Sequence, residues 1–170
     1  MTAEQIVREL SDHVGEEWGM TNQLVNGLAR KVCTRLYRGL YTPLTLRELS
    51  ASDIEEMKKY SPFTVICNPG AHFVTIYCTP QYVLYLDPFG KECRQKDVKK
   101  FLSRLSSHIF HNRTQIQHTT SNHCGLYALL FALYLDREPQ HMKLKFSTRS
   151  KNKNDKLCVT YIEKLIKSKK

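Results

Sequence analysis

Residues 126–135, which include Leu126, Leu129, Leu130 and Leu133, are apolar or aromatic without a break. Such a run reads as a helix that is apolar nearly all round, and that kind of helix has to be covered on every side. It is too short to span a bilayer, which takes about 18 to 20 residues. The remaining elements must therefore wrap around it, and 170 residues suffice to do so without metal or disulfide staples. Hydrophobic and charged fractions of 41% and 25% fit one globular domain over 1–170. No internal repeat and no Gly/Ser- or Pro-rich linker divides the chain.

Upstream of this run, the first 60 residues read as helical. Leu24, Val25, Leu28, Val32, Leu36 and Leu40 recur at helical spacing behind Thr21 and Asn22, an N-cap pair. Two further starts of capping-box form follow, at Thr45/Glu48 and Ser52/Glu55. The pattern then changes to β-branched and aromatic runs at 63–67, 72–77 and 82–87, broken by Asn68-Pro69-Gly70 and Thr79-Pro80. Val98, Phe101, Leu102, Leu105 and Ile109 mark an amphipathic helix, 114–118 a short strand, and 159–166 a last helix. The expected class is α+β, with a central, mostly antiparallel sheet flanked by helices.

The six cysteines at 33, 67, 78, 93, 124 and 158 form no CxxC pair, which speaks against a disulfide framework. Apart from His108 and His111, Cys and His do not recur at ligand spacing, so no metal is expected. Residues 1–5 have neither the basic start nor the apolar stretch of a signal peptide, and an intracellular protein without membrane attachment is expected. The net charge is +10, and residues 143–170 hold ten Lys and Arg against two acids. Such a surface either merely aids solubility or attracts polyanions, in which case nucleic acid would be bound through its backbone, without sequence preference.

Cys124 comes after Thr119-Thr120-Ser121-Asn122, a loop of turn and cap residues, directly at the start of the apolar helix. A helix N-terminus favours the thiolate, and Gly125 lets backbone and substrate approach the sulfur closely. His72 begins a strand. If the hairpin loop is even in length and centred between Thr79 and Pro80, His72 lies directly opposite Asp87, within hydrogen-bond reach. A carboxylate there would fix the imidazole tautomer, as the orienter of a general base does. Taken alone, Asp87-Pro88-Phe89-Gly90 is an ordinary strand-ending turn. A side-chain amide from Gln115 or Gln117, together with the Cys124 N–H, would supply an oxyanion site. Chemistry alone does not choose between the two glutamines.

Three segments together carry a resemblance: Gly70-Ala71-His72-Phe73-Val74, Tyr85-Leu86-Asp87-Pro88-Phe89-Gly90, and 117–127 with Gln117 and Cys124-Gly125. In this order they resemble the active-site signature of the adenovirus protease (adenain) family, related to proteases that remove SUMO and ubiquitin-like proteins. Papain-type enzymes place Cys before His, the opposite order. The resemblance covers about 63–135 and implies a single cysteine protease domain with an adenain-like fold. It implies Cys124 as nucleophile, His72 as base, Asp87 as orienter and Gln117, not Gln115, as oxyanion donor. Phe73 stands where the family commonly has Trp, and Asp87 where adenoviruses have Glu. The segment between Asp87 and Cys124, and the chain overall, are shorter than in adenain.

The resemblance further implies an endopeptidase that cleaves precursor proteins at Gly-rich sites during virion maturation. It would act as a monomer in the host nucleus and virion, with DNA and a viral peptide as activators and no metal or small-molecule cofactor. Neither Cys93 nor Cys33 lies in a motif that would assign it to the peptide. Two other readings stand beside it: a deconjugating protease for ubiquitin-like proteins, which would use the same catalytic groups on a different substrate, and a non-enzymatic basic DNA-binding protein, which leaves the order of His72, Asp87, Gln117 and Cys124 as coincidence.

Overall fold

The computed structural model describes residues 2–14, 20–70, 72–117, 124–139, 142–149 and 151–168. Among the described residues, seven α-helices and five strands follow one another as α1 (Ala3–Val14), α2 (Asn22–Val32), β1 (Tyr37–Tyr41), α3 (Pro43–Arg47), α4 (Ala51–Lys59), β2 (Phe63–Cys67), β3 (Val74–Cys78), β4 (Val83–Leu86), α5 (Lys96–Leu105), β5 (Ile109–His111), α6 (Cys124–Arg137) and α7 (Asn154–Lys167). A 3-10 turn over Lys151–Lys153 leads into α7. The class is α+β. The strands form one sheet in the order β1-β2-β3-β4-β5, antiparallel at its two central pairings and parallel at both edges. The expectation of a mostly antiparallel sheet is thus corrected at the edges, where β1 and β5 arrive by helical connections and not by hairpins.

Each face of the sheet is covered. On one face α6 lies against β2 and β3, with α2 and α7 on its other sides and α1 on α7. Leu129, Leu130 and Leu133 are fully buried there, as an all-round apolar helix requires. The Thr75 hydroxyl pins helix to sheet by donating to the Ala128 carbonyl at 2.8 Å. Alternate residues of β2, β3 and β4 point to the opposite face, where Val65, Ile76 and Tyr85 meet Leu46, Ile54, Phe101 and Leu102 of α3, α4 and α5. No helix among the described residues is long and apolar enough to cross a membrane.

Several boundaries differ from the expectation. Leu36 and Leu40 keep the spacing of α2, yet the helix ends at Val32 and Leu40 belongs to β1. The cause is distant in sequence: buried Asp136 at the end of α6 accepts from the N–H groups of Arg35 and Leu36 at 2.9 and 2.8 Å. That turns the chain out of the helix and sets β1 beside β2. The caps are Thr42 with Thr45 and Ser50 with Asp53, so both boxes begin earlier than expected. Thr21 does cap α2, accepting from Leu24 N–H. Ile109 is in β5 and not in α5; 114–117 is irregular, and His118 lies outside the described residues. α7 starts five residues before Val159.

Candidate active site

The chain reaches the site at the ends of β2, β3 and β4. Asn68, just after β2, accepts from the N–H groups of Gly70 and His72 at 3.0 and 3.3 Å and donates to Asn22 Oδ1 at 2.8 Å. A single side chain therefore shapes the His72 loop and ties it to α2. The β3–β4 hairpin is even, but Thr79 N–H closes it onto the Tyr82 carbonyl, which centres it between Pro80 and Gln81. The register is shifted by two from the expected one. Thr75 faces Leu86, and the same pairing continued places His72 opposite Phe89 instead of Asp87. A shift of two leaves every side chain on its own face, whereas a shift of one would have turned Asp87 away.

Asp87 consequently meets His72 diagonally. His72 Nε2 lies 2.7 Å from Asp87 Oδ1, and the Phe89 ring stacks on the imidazole at 4.8 Å and 20°. Asp87 Oδ1 also accepts from Phe89 N–H at 2.8 Å. Nδ1 of His72 is buried and has no hydrogen-bond partner among the described residues, and the Cys124 thiol interacts with this ring. Burial works against the imidazolium, but the Asp87 carboxylate and the Cys124 sulfur outweigh it and push the His72 pKa up to about 9.

Cys124 shows the complementary shift. Burial works against its thiolate, yet His72, the Phe73 N–H and the Gln117 side chain together draw its pKa below the ordinary thiol value. Proton affinity raised on the imidazole and lowered on the thiol moves the pair toward thiolate and imidazolium.

Gln117 is fully buried and interacts with Cys124, while Gln115 donates from Nε2 to the Gln117 carbonyl at 2.9 Å. The structure thus separates the two glutamines: Gln117 is at the sulfur and Gln115 braces it. Both Ile116 and Gln117 donate their N–H groups to the Pro88 carbonyl, at 2.9 and 3.1 Å. Gly90, at φ +67°, lies so close to this segment that a Cβ would come within 2.7–2.8 Å of backbone atoms of Arg113, Thr114 and Gln115. The Asp87–Gly90 turn therefore positions the carboxylate and the amide together.

Gly125 has a different reason from the expected one. A Cβ there would lie 2.8 Å from Val25 Cγ2 and 3.3 Å from Met20 and Phe73 atoms, so the glycine admits α2 and Phe73 to the start of α6. The loop residues Thr119, Thr120, Ser121 and Asn122 lie outside the described residues. A depression of about 530 Å³ opens beside the His72–Asp87 pair and is also lined by Gly70, Lys91, Glu92 and Arg94. All six cysteines are free thiols. Among the described residues no cluster of His, Cys, Asp or Glu could hold a metal ion.

The four residues singled out in sequence converge: His72 and Asp87 bond directly, and Cys124 interacts with both His72 and Gln117. The sequence assigns no role to Asn68 or to Asn112, which bonds the Asp87 backbone, because both act through hydrogen bonds in loops that leave no spacing to detect. Comparison with known proteins finds no family model that matches this chain and no curated protein that matches it.

Proposed function

We propose that the chain is a cysteine endopeptidase of the adenain type, with Cys124 as nucleophile, His72 as proton carrier, Asp87 as its orienter and Gln117 as oxyanion donor. The observation that carries the reading is the convergence of the site: His72 Nε2 lies 2.7 Å from Asp87 Oδ1, and the same imidazole and the buried Gln117 side chain interact with the buried Cys124 thiol, which makes the thiol more acidic and the imidazole more basic. Activated nucleophiles depend on such coupling, and purely structural thiols do not.

In this reading the Cys124 thiolate attacks a peptide or isopeptide carbonyl carbon. The oxyanion is held by Gln117 and the Cys124 N–H. The His72 imidazolium gives its proton to the departing amine, leaving a thioester on Cys124. Water then loses a proton to His72 as it adds to the thioester, and cleavage releases the acid and restores the pair. The +10 charge supports stimulation by DNA through backbone contacts, without sequence preference. Gly-rich precursor proteins as substrates, a peptide activator and a role in virion maturation follow from the resemblance in the three active-site segments.

The test is turnover of a fluorogenic Gly-Gly peptide, with and without duplex DNA, by wild type and Cys124→Ala. The reading expects cleavage that the substitution reduces to background. Cleavage that survives in Cys124→Ala contradicts it.

A further inference from the structure

Asp87 lies one residue beyond the end of β4, and its peptide N–H and carbonyl both face the β5 side. On that side, the parallel β4–β5 pairing ends at Tyr85 and His111. The next residue, half-buried Asn112, fills the missing rung with its side chain. Its Oδ1 accepts from Asp87 N–H at 2.7 Å and its Nδ2 donates to the Asp87 carbonyl at 2.6 Å. A carboxamide is the group that can accept and donate side by side, as a neighbouring peptide would. Nδ2 also reaches the Thr114 carbonyl at 3.4 Å, and Gly90 N–H donates to the Asp87 carbonyl at 2.8 Å.

Resting on the proposed function, we infer that Asn112 is a positioning residue for the reaction: it sets the angle at which Asp87 presents Oδ1 to His72. Asp87 precedes Pro88, which already restricts it to extended backbone. The Phe89 and Gly90 N–H groups hold the turn from within, and the paired bonds from Asn112 anchor the Asp87 peptide to the sheet from the β5 side. Without them the carboxylate shifts away from Nε2, the imidazole turns with it, and the ring's interaction with the Cys124 thiol weakens. Misplacement on the order of 1 Å costs about 100-fold in rate.

The experiment uses the full chain carrying Asn112→Leu, which keeps the branched shape and removes both bonds, and Asn112→Ala. Iodoacetamide alkylation of Cys124, located by mass spectrometry, is followed against pH alongside peptide turnover. The expected result is a folded Asn112→Leu protein whose kcat falls about 100-fold with KM within about twofold. The basic limb of its turnover profile moves below that of wild type, and the alkylation midpoint of Cys124 moves up. Combined with Asp87→Asn, Asn112→Leu should cost almost nothing more, because both changes act through one contact.

A folded Asn112→Leu protein with wild-type profiles overturns the inference, as does full additivity with Asp87→Asn. Loss of the fold in both Asn112 variants overturns it too, since the residue would then be a strut of the sheet. If wild type alkylates with a low midpoint but cleaves no peptide, the peptidase reading fails, and Asn112 is still judged on its alkylation shift.

Discussion

Cys124 and Cys158 lie in the same core, at 7% and 0% exposure, and both touch the first turns of α6. Cys158 projects from α7 and donates its thiol to the Leu126 carbonyl at 3.6 Å, two residues beyond Cys124. The two thiols nevertheless titrate in opposite directions. Burial, reinforced by the charge of Asp155, pushes Cys158 up, and burial likewise raises Cys33, Cys67, Cys78 and Cys93. At Cys124 the same desolvation is outweighed by His72, Phe73 N–H and Gln117. A buried thiol is inert by default, and here donors from two separate segments, at 72–73 and at 117, reverse that at one position.

The largest effect should come from removing the donors. His72→Ala deprives Cys124 of its strongest partner and the reaction of its proton carrier, and kcat should fall by about 10⁴-fold or more, as for other members of a catalytic triad. Gln117→Ala removes one oxyanion donor and should cost about 100- to 1,000-fold in kcat. Steady-state turnover of the Gly-Gly peptide measures both, and a reversed order would mean that the amide and not the imidazole activates the sulfur.

At the other end of the scale, Cys158→Ala should leave turnover unchanged and lower stability by about 1 kcal/mol, the cost of a small buried cavity. Urea denaturation checks it. A loss of activity without a loss of stability would erase the contrast between the two cysteines.

The contrast also explains what the sequence could and could not reveal. The central helix, the β2–β4 block and α5 were legible because long apolar periodicities are local and strong. β1 was not, because Leu36 and Leu40 satisfy a helical spacing that Asp136, a hundred residues away, overrides. β5 has three residues, of which Ile109 and Phe110 are exposed, so no alternation marks it. The hairpin centre was misplaced because Pro80 sits inside a four-residue turn closed by Thr79. The error was by two and not by one, so the pairing of His72 with Asp87 survived it. At the site, residue types with a chemical signature stood out, whereas Asn112 and Asn68 are polar residues in loops whose roles exist only once the chain is folded.

The most direct test of the account is the rate of Cys124 alkylation by iodoacetamide against pH, in wild type and His72→Ala. The thiolate reacts and the thiol does not, so the midpoint reports the pKa of the sulfur without any substrate. A second change is expected near pH 9, where His72 gives up its proton and the charge partner of the sulfur is lost. The account predicts a wild-type midpoint below the free-thiol value of about 8.5. It also predicts that His72→Ala raises this midpoint above the free-thiol value, into the company of Cys158. A wild-type midpoint at or above that of a free thiol, unmoved by His72→Ala, would contradict it.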